Sequence, residues 1–318
     1  MGTVGEQATG RPGGQDGTIR SGVAAPQPAM LLQDVGIPAL FVVLWSTGFL
    51  GARMGLPHAG PLTFLTLRYI LAATLLLLAA LVTRAPWPRR MADVGHYAVT
   101  GLMVHATYLG GVFVGISLGL QAGVSALIVG LQPLLTAALA RVFLGERVAP
   151  RQWAGLSLGL IGVALVLARK LGQGSGDVMG VLACVAALFG ITIGTLYQKR
   201  YCGGMDLRTG SIIQFTAAGL LTAPLALWFE GWRVAWTGEF VFALLWLVVV
   251  LSLGAVSLLY VLIRRGAASQ VASLFFLVPP CTALIAWMLF GERLGPLALV
   301  GMALTAIGVA LASRRTVR

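Results

Sequence analysis

Arg68 is the residue that most needs a physical explanation. It is the only charge in the apolar run 61–83, PLTFLTLRYILAATLLLLAALVT. An arginine at the centre of a membrane helix costs about 2.5–3.5 kcal/mol on insertion scales, so it needs a partner or a use. Arg68 lies about two helical turns from the start of its run, where reaching for the nearer surface lowers that cost. Two readings stand. In one, Arg68 is a fixed positive charge facing a cavity and attracting a carboxylate or another anion. In the other, it is a structural arginine bonded to helix-end carbonyls of neighbouring helices.

His105 and Tyr108 are three residues apart in the run 96–118, which places them on one helix face. Histidine changes charge near neutral pH, so His105 is suited to taking up a proton. The alternative is a neutral histidine hydrogen-bonded inside a bundle. No Asp or Glu lies in the central part of any apolar run. That argues against a carboxylate proton relay and a carboxylate sodium site, and leaves His105 as the one ordinary proton candidate.

Further polar and aromatic residues fall at mid-depth: Trp45, Ser46, Gln132, Thr192 and Gln214. A tryptophan at that depth packs between helices or lines a cavity, unlike a belt residue at the interface. Ser46 and Thr192 either line a cavity or bond to neighbouring helices or to their own i−4 carbonyls. Pro133, Pro279 and Pro280 sit mid-run, where proline frees a carbonyl and kinks a helix. Such a kink at membrane depth suits a hinge, a cavity wall or an immobile packing bend.

The elements that must hold these residues follow from composition. The 318-residue chain is 58% hydrophobic and 10% charged, against about 25% charged in soluble domains. So few charges cannot solvate a surface in water, and lipid must be the solvent for most of the chain. The net charge of +12 is no nucleic-acid signal, because the basic residues sit at the ends of apolar runs and form no stripe with aromatics. Cys184, Cys202 and Cys281 show neither CxxC nor Cys/His spacing, so no disulfide framework, metal site or cofactor follows. Residues 1–36 are rich in Gly, Gln, Pro and Ala and read as a disordered cytoplasmic tail.

Ten apolar runs follow, at about 37–56, 61–83, 96–118, 122–144, 152–169, 177–198, 208–229, 240–262, 268–290 and 297–313. Each is close to the ~20 residues that span a bilayer as a helix. The chain also repeats itself. Residues 133–165 align without a gap on 279–311 at a shift of 146, with 15 of 33 positions identical, including Gly145-Glu146-Arg147 on Gly291-Glu292-Arg293. The same shift sets Ser46 on Thr192, Gly48 on Gly194 and Arg68 on Gln214. Each unit holds five spans, an odd number, so the second enters the membrane from the opposite side. The expected fold is all-α and polytopic: ten transmembrane helices as two inverted five-helix repeats, 37–170 and 177–315. Inverted repeats are a carrier architecture, because exchange between two similar halves opens a central site to alternate sides. With a cytoplasmic N-terminus, 16 Lys and Arg fall inside and 5 outside, which puts both termini in the cytoplasm. The glycine stripe Gly155, Gly159, Gly162, echoed by Gly301, Thr305 and Gly308, allows close helix contact within the chain or across a homodimer.

Trp45-Ser46, Pro61 with Arg68, and the two copies of proline, Gly-Glu-Arg and Ile-Gly-Val make the chain resemble the EamA-type family of the drug/metabolite transporter superfamily. The resemblance covers about residues 37–315. It implies a ten-helix carrier of the bacterial inner membrane, often an exporter of amino acids, other metabolites or drugs, with its cavity between the two halves. Arginine outnumbers lysine twenty to two, the usage of a GC-rich bacterial genome.

The leading reading is therefore a secondary transporter exporting a small organic metabolite, either an amino-acid-like solute or a drug-like compound, by alternating access. Its partners would be that solute, the lipid bilayer and, as further candidates, protons and a second copy. An ion-independent facilitator or channel fits the same repeat, and a non-transporting scaffold is the bland alternative. An enzyme would need a nucleophile, metal cluster or paired carboxylates at depth, and the sequence offers none; nor is there a GxxxxGK[ST] phosphate loop.

Overall fold

The computed structural model describes Gly2 and residues 35–313, except 121–124, 126–127, 146, 172–177, 267 and 291–295. The described residues are helical almost throughout. In chain order the helices are α1 (Ile37–Gly55), α2 (Pro61–Val82), α3 (Met91–Ser117), α4 (Gln132–Leu144), α5 (Pro150–Leu171), α6 (Val178–Tyr201), α7 (Leu207–Glu230), α8 (Gly238–Arg265), α9 (Ala268–Ser273), α10 (Val278–Phe290) and α11 (Pro296–Ser313). Five of them, α2, α3, α6, α7 and α8, are long and apolar enough to cross a membrane; shorter apolar stretches lie at Ile37–Gly48, Val271–Thr282 and Leu299–Ala312. Large apolar side chains such as Leu78, Leu81, Leu220, Leu227 and Phe229 are exposed on the outward faces. A water-soluble surface rarely carries contiguous patches of this kind; a lipid-facing one does.

Element boundaries recur at the shift of 146 read from the sequence. α2 begins at Pro61 and α7 at Leu207; α4 spans Gln132–Leu144 and α10 spans Val278–Phe290. α3 and α8 both widen mid-length into π-helical stretches, Leu102–Leu109 and Leu247–Ala255. Two corresponding pairs, α2 with α7 and α5 with α11, pack antiparallel. Between α2 and α7, Thr66 and Thr222 share a hydrogen bond of 2.7 Å in the interior. At one end the Glu230 carboxylate accepts from Leu62 N, Thr63 N and Thr63 Oγ1 at 2.6–2.9 Å, closing the N-terminus of α2. At the other end Thr209 Oγ1 donates to Pro86 O at 2.8 Å. α5 and α11 meet through the glycine stripe itself: a Cβ at Gly162 would come within 2.6 Å of Gly301 O, and one at Gly308 within 2.5 Å of Gly159 N. The stripe thus has an intramolecular partner.

Three sequence expectations are corrected in detail. The third helix begins at Met91 rather than 96, with Asp93 in its first turn. Pro133 is not an interior kink: it occupies the first turn of α4, after a break at Gly130–Leu131, where its missing N–H costs nothing. Pro279 and Pro280 likewise open α10, after a 3₁₀ turn at Leu274–Leu277. Gly36 already has helical angles; residues 1 and 3–34 of the predicted tail lie outside the described residues, as do Glu146 and the second Gly-Glu-Arg block. Gly145 of the first block ends α4 at φ 69°, the left-handed conformation that glycine adopts without penalty.

Candidate functional site

Glycines bring the two π-helical stretches to the centre. Gly48 of α1 faces Leu251 of α8, and its counterpart Gly194 of α6 faces Met103 and Val104 of α3. A π-helical turn is wider than an α-turn and is found mainly at functional sites. Here it carries His105 and Tyr108 in α3 and Ser252 in α8.

Between α1, α2, α3 and α8 lies a narrow pocket with a cavity volume of about 40 Å³. Trp45, Arg68, His105 and Tyr108 line it, with aliphatic and aromatic side chains such as Val104, Phe113 and Leu251. The few polar groups in an apolar wall are the chemistry of a small-organic-ligand site, and the pocket must widen to take in such a ligand. Trp45 stacks on Tyr108, with ring centroids 6.4 Å apart and planes 12° apart, and meets Phe41 and Phe275 at 5.2 and 5.3 Å.

Arg68 is 3% exposed. Its Nε donates to Ser252 Oγ at 2.8 Å, and Ser252 in turn donates to Leu247 O at 3.1 Å, a bond across the π-turn. Among the described residues no carboxylate pairs with the guanidinium. Helix-end carbonyls, the structural alternative, are not its partners either.

His105 is fully buried. Its Nε2 lies 3.1 Å from Tyr260 Oη, its ring lies 4.5 Å from that of Phe215, and its backbone carbonyl accepts from Tyr69 Oη at 2.9 Å. Tyr260 Oη donates to Gln214 Oε1, and Gln214 Nε2 reaches Met205 Sδ at 3.3 Å and Gln198 Oε1 at 3.5 Å. Gln214, predicted as a polar counterpart of Arg68, therefore belongs to a chain leading away from the pocket through His105. Among the described residues His105 Nδ1 has no hydrogen-bond partner.

The other predicted residues are not gathered here. Ser46 Oγ donates to Val42 O at 2.6 Å and to Val278 O at 3.3 Å; Thr192 Oγ1 donates to Leu188 O at 2.7 Å. Gln132 is buried in the first turn of α4, with Oε1 unpartnered. Sequence reasoning missed Ser252, Tyr260, Tyr69 and Gln198. Ser252 was findable, being the one hydroxyl in the run LLWLVVVLSLG. Its pairing with Arg68 was not.

A membrane protein whose described residues are helical and enclose a largely apolar pocket with a buried arginine in its wall is built like a solute carrier. The profile of the EamA-like transporter family matches twice, at residues 36–168 and 178–314, and the chain belongs to that family. It is a multi-pass membrane protein related to bacterial transporters. A probable terminal-alkyne amino-acid exporter of Streptantibioticus cattleyicolor is 31% identical over 87% of this chain and 92% of its own length. A probable amino-acid metabolite efflux pump of Escherichia coli K12 is 26% identical over 88% of this chain and 94% of its own. A solved crystal structure shares the fold, with a TM-score of 0.71 at 21% identity over 88% of this chain and 96% of that one.

Proposed function

We propose that the protein exports a small organic metabolite carrying a carboxylate, such as an amino-acid-like solute or an acidic drug-like compound, across the bacterial inner membrane. The observation that carries this is Arg68: a buried guanidinium in the pocket wall whose hydrogen bond among the described residues is to a neutral hydroxyl. A cation removed from water without a counter-ion is destabilised, and an anionic solute relieves that cost. The two relatives named as an amino-acid exporter and an amino-acid efflux pump support the same class. We assign the protein solute movement rather than bond chemistry.

The mechanism is alternating access by two inverted five-helix halves, 37–170 and 177–315, with ten crossings and both termini in the cytoplasm. The antiparallel packing of α2 on α7 and of α5 on α11 supports the inversion, and the arginine bias supports the orientation. The breaks ahead of Pro133 and Pro279 supply points about which α4 and α10 turn. His105 is the proton candidate if flux is ion-coupled. In proteoliposomes, Arg68→Ala should abolish flux of carboxylate solutes while the protein still inserts; unchanged flux would sink the charge-attraction role. Solute-driven proton movement separates a coupled carrier from a facilitator.

A further inference from the structure

The two halves differ around their Gly-Glu-Arg blocks. At the shift of 146, Arg147 falls on Arg293, but Ala138, Val148 and Trp153 fall on Leu284, Leu294 and Leu299. In the first half Arg147, Val148 and Trp153 join Ala137 and Ala138 in lining a groove of about 400 Å³ between α4 and the start of α5. The groove is there because α4 presents alanines; a leucine at position 138, as in the second half, would fill part of it. It shares no lining residue with the pocket around Arg68.

Local structure sets the chemistry of its mouth. Gly145 turns the chain out of α4 at φ 69°. Gln152 Oε1 accepts from Ala149 N at 2.8 Å, and Gln152 Nε2 donates to Ala312 O at 3.4 Å, so the start of α5 is capped from within the protein. Gln152 is thereby buried, and its neighbour Trp153 is left on the outward face, 41% exposed. Arg147 is exposed as well, and among the described residues no carboxylate pairs with it. The segment 141–151, RVFLGERVAPR, carries three arginines against one glutamate, and Arg200 donates to Phe143 O at the same end of α4. Val142 and Phe143 are exposed beside it. Ala138 lies six residues before the end of α4, which is about 9 Å along the helix axis.

We propose that this groove binds an anionic phospholipid, with Arg147 on the phosphate, Trp153 at the headgroup level and the first part of an acyl chain over Ala137 and Ala138. A guanidinium matches phosphate oxygens bidentately, tryptophan favours the headgroup region, and basic pockets between membrane helices hold acidic headgroups. A soluble phosphate ester would use the arginine but leave the alanine slot, Val142 and Phe143 uncovered; a lipid covers all of them. The inference is independent of the solute and rests on α4 and α5 crossing the bilayer, as proposed above.

The test is native mass spectrometry of the purified full chain in detergent, titrated with phosphatidylglycerol or with phosphatidylcholine of the same acyl chains. The native chain should hold one phosphatidylglycerol at least about fivefold more tightly than phosphatidylcholine, the effect of one basic residue on an acidic lipid. Arg147→Gln should bring the two lipids close to parity, and Arg147→Lys should fall between. Ala138→Leu should weaken both by closing the slot, while Arg293→Gln, the same charge change in the second half, should leave the preference intact. Equal binding of the two lipids by the native chain overturns the proposal. So does an undiminished preference in Arg147→Gln, an equal loss in Arg293→Gln, or unchanged binding in Ala138→Leu. Displacement of the lipid by glycerol 3-phosphate at equal concentration would assign the groove to a soluble phosphate ester instead. Failure of the membrane reading looks different: Ala138→Cys, in a chain whose three native cysteines are replaced, would then react freely with a water-soluble maleimide in vesicles.

Discussion

Arg68 Nε and Ser252 Oγ are 2.8 Å apart, although 184 residues separate them in the chain. The bond joins α2 of the first half to the π-helical stretch of α8 in the second, across the pocket wall. Ser252→Ala should leave the guanidinium in place but without the hydroxyl it bonds. A hydrogen bond to a charged group contributes about 1.5–3 kcal/mol, so solute affinity should change by roughly one order of magnitude or more, read as the concentration for half-maximal flux. Equal affinity in the variant would show that Ser252 does not orient Arg68.

Glu230 closes the N-terminus of α2 from the end of α7 with three bonds. Glu230→Ala leaves those donors open and should lower stability by about 0.5–2 kcal/mol, the range for a lost N-cap. Thermal denaturation in detergent reads this directly. Transport at low temperature should be far less affected, because Glu230 does not line the pocket.

Asp206 caps α7 by accepting from Arg208 N and Thr209 N, and the Arg208 side chain bonds it as well. The Arg208 hydrogen bonds hold its carboxyl below the usual range. A carboxyl whose pKa is lower folded than unfolded binds fewer protons when folded. It adds stability above its unfolded pKa and loses it as pH falls through the folded value. Acidification below about pH 4 should destabilise the native chain. Asp206→Asn should flatten that acid limb and leave stability less dependent on pH there.

Ser46 and Thr192 hydroxyls are engaged by their own i−4 carbonyls. Ser46→Ala and Thr192→Ala should leave flux within about twofold of the native chain, since exchanging such a hydroxyl for a methyl removes no pocket contact. A large loss in either would place that residue in the solute path.

Gly162 and Gly308 stand where α5 and α11 backbones nearly touch. Gly162→Val should reduce folded protein sharply, because the clash is with backbone atoms that cannot rotate away. A variant that folds normally and alters only self-association would point instead to a dimer face.

Much of this protein was legible in the chain itself. Low charge and long apolar runs dictate a lipid solvent, because no arrangement of 58% hydrophobic residues hides from water at this size. The shift of 146 foretold where helices recur: α5 and α11 open on the matched prolines Pro150 and Pro296, and α4 and α10 carry the matched Pro133 and Pro279 in their first turns. Arg68, His105, Trp45 and Tyr108 stood out because aromatic and polar groups are conspicuous in apolar runs, and one pocket gathers all four. What the tertiary structure decided is which partners those groups meet. Apolar helices pack in many registers of similar energy, and no local signal ties Arg68 to Ser252 or His105 to Tyr260. The π-helical turns at Leu102–Leu109 and Leu247–Ala255 were equally invisible, because the apolar runs carry no mark of a wider turn. So the sequence named the chemistry available at mid-depth. Only the packed halves determined that Ser46 and Thr192 turn back on their own helices, and that one nitrogen of His105 meets Tyr260 while the other finds no partner among the described residues.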